Sequence, residues 1–102
     1  MELDKHTHRE AFESLASELT EYPSVEKVKL FGSVARGEHG VNSDVDILVE
    51  ISDHSDTEKI EEKAFQKSSE FGVSITPIIV EKGEKTPVTE KAEKEGIEYV
   101  PG

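Results

Sequence analysis

The chain has no cysteine and no tryptophan, only four prolines, and aromatic residues at 6% of its 102 positions. Without cysteine, disulfides and thiolate metal sites are excluded, so any metal centre must use oxygen or imidazole ligands. Long apolar runs are missing as well: the longest cover a few residues, against the roughly 20 needed to span a bilayer. No charged start, apolar stretch and cleavage site marks a secretion signal. A cytoplasmic protein with no membrane role is the expectation. Positive charge is also scarce. Twelve Lys and Arg stand against 23 Asp and Glu, a formal net charge of −11, which repels a nucleic-acid backbone and suits cations or a basic protein surface. Direct nucleic-acid binding is therefore not expected. The length suits a single domain over residues 1–102, with one modest core.

What is present is a regular alternation of helix and strand signals. Thr7 to Glu10 has capping-box spacing, and Phe12, Leu15, Ala16, Leu19 and Tyr22 recur at helical intervals up to Pro23. Val25 to Phe31 alternates Val28 and Leu30 with Lys27 and Lys29, the period of a strand with one buried face. Gly32 ends it, Ser33 to Gly37 forms a short helix, Gly40 to Ser43 reads as a loop, and Val45 to Ile51 returns to strand. A second capping box, Ser55 to Glu58, opens a helix carrying Ile60, Ala64, Phe65 and Phe71 and closing near Gly72. Val73 to Val80 is a third strand, in which Pro77 demands an edge, a bulge or a nitrogen pointing away from the neighbour. Thr86-Pro87 starts a last helix that ends near Gly96, and Ile97 to Val100 is an extended tail. The order αβαβαβα predicts an α/β domain, one mixed sheet packed by helices.

Within this frame Asp44 and Asp46 stand two apart at a strand start, and so project to one face. Isolated carboxylates are costly inside a protein and need a cation, a hydrogen-bond network or a metal. Hard divalent ions such as Mg²⁺ are commonly held by one or two carboxylates together with substrate phosphates. The preceding Gly32-Ser33 turn allows backbone donors to approach a phosphate, with a serine hydroxyl beside them. Arg36 is placed either to meet phosphate, to hold one of the two carboxylates, or to form a structural ion pair.

Gly32-Ser33, Ala35-Arg36-Gly37-Glu38 and Ser43-Asp44-Val45-Asp46-Ile47, with the closing Glu95-Gly96-Ile97, resemble the signature of minimal nucleotidyltransferase domains in the DNA polymerase β-like superfamily. The resemblance implies a mixed sheet with flanking helices, a nucleoside triphosphate such as ATP on the glycine-serine turn, and Mg²⁺ or Mn²⁺ on Asp44 and Asp46. It further implies the antitoxin half of a toxin-antitoxin pair, with a helical HEPN-domain protein as partner and AMP transferred to a protein hydroxyl. The family's third metal carboxylate falls at Thr76, with Ser74 as second choice; neither is acidic, so a binding module that neutralises its partner by occlusion is the alternative. A third reading makes the two aspartates salt-bridged members of a surface strand.

The histidines are not expected to form a metal site. His6 and His8 do not share a helical face and read as surface or terminal residues, while His39 reads as a loop histidine, a proton-transfer role being the less favoured option.

Overall fold

A computed structural model of the protein describes residues 5–37 and 44–100. The elements are α1 (Lys5–Leu19), β1 (Val25–Phe31), α2 (Ser33–Arg36), β2 (Val45–Ile51), α3 (Thr57–Phe71), β3 (Ile75–Glu81), α4 (Pro87–Glu95) and β4 (Ile97–Glu98). The expected α/β architecture is observed, and part of the extended tail becomes a fourth strand. Glu38, His39 and the loop expected over Gly40 to Ser43 lie outside the described residues.

The sheet runs β3-β2-β1-β4. β1 pairs antiparallel with both β2 and β4, whereas β2 and β3 are parallel and joined through α3, so the sheet is mixed. One face carries Val28, Leu30, Val45, Ile47, Val49 and Ile51 into the main core against α1 and α3. The other face carries Phe31, Leu48 and Val80 against Ala92 of α4, with Val88 packed alongside. β2 is covered on both sides, which explains its nearly continuous apolar sequence.

Ala11, Phe12, Leu15, Ala16 and Leu19 form the buried stripe of α1. His8 continues that stripe one turn earlier and is fully buried, against the surface position expected of it. Thr7 lies inside α1, which is already helical at Lys5, so the first capping box does not start this helix. The second is displaced too. Asp56 is the N-cap of α3 and makes no side-chain cap, because its carboxylate accepts a buried 2.7 Å hydrogen bond from Ser24 Oγ. Ser55 instead donates its amide to Asp53 at 2.9 Å. Only Ile60 and Ala64 of α3 are buried; Phe65 is 74% exposed. At about 100° per residue it stands roughly 140° round the helix from Ile60.

The remaining punctuation follows local chemistry. Gly72 caps α3 in the left-handed conformation with φ 69°. Thr86 and Thr89 form a reciprocal capping box with Pro87 in the first turn of α4. Pro77 sits on edge strand β3 without a register shift. Ladder bonds at Ser74 and Lys82 assign pairing with β2 to the even-numbered residues, so the Pro77 nitrogen faces the free edge. No helix among the described residues is long and apolar enough to cross a membrane.

Candidate functional site

Strand alternation puts Asp46 on the opposite face from Val45 and Ile47, which are fully buried in the main core. Asp46 is therefore on the α4 side, near the end of the sheet where β1 passes into α2. Its register partners are Phe31 on β1 and Thr76 on β3. Neighbours in register project to the same face, so the Thr76 side chain stands beside Asp46, exposed where Asp46 is half-buried. Ser74 lies just before β3, its carbonyl accepting from the Val45 amide at 2.8 Å.

Gly32 follows Phe31 with φ +79°, and a Cβ added to it would lie 2.5 Å from Asp46 Oδ2. The absence of a side chain at residue 32 is thus what admits the Asp46 carboxylate against the turn. Ser33 is the first residue of α2, and the Arg36 amide donates to the Gly32 carbonyl at 3.2 Å. These contacts join the turn, the short helix and the strand carboxylate into one unit.

Burial pushes the Asp46 carboxyl above its ordinary range; the charge of Asp44 adds to the rise and that of Lys91 opposes it. Asp44, just ahead of β2, is exposed. Two repelling carboxylates, one of them partly desolvated, favour a divalent cation. Among the described residues no group of three or more His, Cys, Asp or Glu is placed to hold a metal ion. Two carboxylates fit an ion that also takes phosphate oxygens and water.

Arg36 Nη1 is 2.6 Å from Glu95 Oε2 at the end of α4. Of the three options open to Arg36, a structural ion pair is observed, to Glu95. Lys91 was not singled out by motif reading. Its signal is its i,i+4 spacing from Glu95 on one flank of α4, which becomes informative only once α4 is known to cover this face. A cleft of about 370 Å³, lined by Arg9, Phe12, Ile97 and Tyr99, lies at the α1 and β4 edge and is separate from this arrangement.

Residues 8–100 match the family model described as "Nucleotidyltransferase domain". The chain belongs to that family. It is 36% identical over 77 residues to "Putative protein adenylyltransferase MJ0141" of Methanocaldococcus jannaschii, a match covering 72% of this chain and 78% of that protein. A solved structure described as a minimal nucleotidyltransferase superposes with TM-score 0.70 and 28% identity, covering 93% of this chain and 95% of that one. The fold is also shared, at TM-score 0.56 and 18% identity, with a chain in the structure of a tri-AMPylated Shewanella oneidensis HEPN toxin in complex with MNT antitoxin; that match covers 84% of this chain and 70% of the other.

Proposed function

We propose that the protein binds an Mg²⁺- or Mn²⁺-complexed nucleoside triphosphate, ATP, and transfers AMP to a hydroxyl of a helical HEPN-type partner, acting as an antitoxin in the cytoplasm. The observation that carries this reading is the seating of Asp46 against Gly32, with Asp44 two residues before it, in a chain of the nucleotidyltransferase family. The relative's name supports a protein acceptor and an adenylyl group, and the AMPylated HEPN complex supports the class of partner.

In this reading Asp44 and Asp46 hold the metal, which when bound neutralises charge on the phosphates and on the departing pyrophosphate. Gly32 and Ser33 cradle the phosphates, and Arg36 exchanges Glu95 for a phosphate oxygen. The acceptor oxygen forms a bond to the α-phosphorus as the bond to the β-bridging oxygen breaks. Pyrophosphate leaves with that electron pair, and the hydroxyl proton passes to solvent. The partner's surface brings the hydroxyl to the exposed end of this face, at Asp44 and Thr76.

A second reading, a nucleotide-binding module that neutralises its partner by occlusion, is favoured by one observation: the residue beside Asp46 is Thr76 rather than an acid. Incubation of the co-purified pair with ATP labelled in the α-phosphate separates the two. Label on the partner, lost in an Asp44→Asn, Asp46→Asn variant, supports transfer; a stable unlabelled complex that still binds ATP supports occlusion.

A further inference from the structure

α4 lies across the sheet face opposite α1 and α3, with Ala92 buried beneath it and two flanks above. One flank carries Thr89 and Glu93, which line a cleft of about 130 Å³ with Lys27, Lys29, Glu50 and Lys85. The other carries Lys91 and Glu95. Glu95 reaches across to Arg36 on α2, which fixes the direction of this flank: it looks onto the Gly32 turn. Lys91 sits one turn before Glu95 on the same flank, and its charge is felt at Asp46. Lys91 is exposed and forms no ion pair among the described residues, whereas Arg36 is already held by Glu95. The capped start of α4, with the Thr86 amide donating to Thr89 Oγ1 at 2.8 Å, holds the helix bearing it.

We propose that Lys91 is a substrate-binding residue that contacts the β- and γ-phosphates of the nucleotide, from the helix opposite the Gly32 turn. This deepens the proposed nucleotidyltransferase reading and rests on it. Transfer from the α-phosphorus requires that phosphate to lie at Asp44 and Asp46, so the tail of the triphosphate extends to one side of the pair. That tail brings several negative charges to a protein of net charge −11, more than Arg36, shared with Glu95, meets alone. A lysine on a four-carbon stem is a mobile point charge suited to phosphate oxygens. The assignment makes an unusual sign prediction. Lys91 opposes a bare cation at Asp46 and attracts the phosphate tail, so its removal should move the two affinities in opposite directions.

The test is calorimetry of the wild-type chain, Lys91→Gln and Lys91→Arg with Mn²⁺ alone and with ATP, ADP and AMP in Mn²⁺. Because Lys91 is exposed, its variants are expected to fold normally, which thermal melting checks. The expected result is a loss of about five- to tenfold in ATP affinity for Lys91→Gln, a smaller loss for ADP, little change for AMP, equal or tighter binding of Mn²⁺ alone, and near-wild-type behaviour for Lys91→Arg. Unchanged ATP binding in Lys91→Gln would overturn the assignment, as would an equal loss for ATP and AMP or a parallel loss of Mn²⁺ binding. If the wild-type chain binds neither Mn²⁺ nor ATP, the nucleotidyltransferase reading itself falls and takes this assignment with it.

Discussion

Gly32 and Asp46 are complementary: the glycine at φ +79° leaves the space that Oδ2 of the aspartate fills, and a single added carbon would come within 2.5 Å of it. Gly32→Ala should therefore be destabilising twice over, by about 1–3 kcal/mol from the positive φ and the collision together. It should also abolish ATP binding. The collision component is shared with Asp46, so the Gly32→Ala, Asp46→Ala pair should cost less than the sum of the single changes in urea unfolding. Strict additivity would show that the two residues do not press on each other.

Asp46 carries a stability cost that depends on pH. Burial and Asp44 raise its carboxyl pKa in the folded state, so the folded form binds a proton more readily than the unfolded chain. The penalty is absent where both states are protonated, and develops as pH climbs through the ordinary carboxylate range to the raised value. Asp46→Asn should accordingly melt higher than wild type at neutral pH while losing metal and nucleotide binding, with the gain shrinking on acidification. A gain that grows as pH falls would contradict the raised pKa.

Thr76 is the register partner of Asp46, so Thr76→Asp places a third carboxylate on the same face. The expected outcome is a several-fold increase in Mn²⁺ affinity, faster AMP transfer to the partner than in wild type, and a lower melting temperature without metal. Ser74→Asp, outside β3, should give a smaller effect. Equal metal affinity in wild type and Thr76→Asp, measured by calorimetry, would remove this position from the site.

The Arg36–Glu95 pair is partly exposed, and such pairs contribute about 0–1 kcal/mol. Glu95→Gln should change unfolding free energy by no more than that, yet release Arg36 and tighten ATP binding; Arg36→Ala should weaken it. If both variants weaken ATP binding equally, the pair acts by placing α4 rather than by competing for phosphate.

Much of the local structure was legible in the residues themselves. The bounds of β1 and β2, the end of α3 near Gly72 and the Thr86-Pro87 start of α4 were all expected, because each depends on neighbours a few positions away. The misreadings involve competition across the chain. The expected Ser55 cap gives way to Asp56, whose carboxylate is taken by Ser24, just before β1, instead of by the helix. Phe65 was counted with the apolar stripe by composition, although its angular position sets it on the outer face. His8 is buried because α1 extends its packed stripe by another turn.

The sequence by itself determined where helices and strands form, which turn glycine supplies, and that two carboxylates share a face, since these follow from periods of 3.6 and 2 and from backbone freedom at single residues. Tertiary structure alone decided that Arg36 meets Glu95 and that Lys91 rather than Glu93 occupies the flank toward Gly32. Register and helix orientation are set by how whole apolar faces mate across the sheet, and that information is spread over residues too far apart in the chain for any local pattern to carry it.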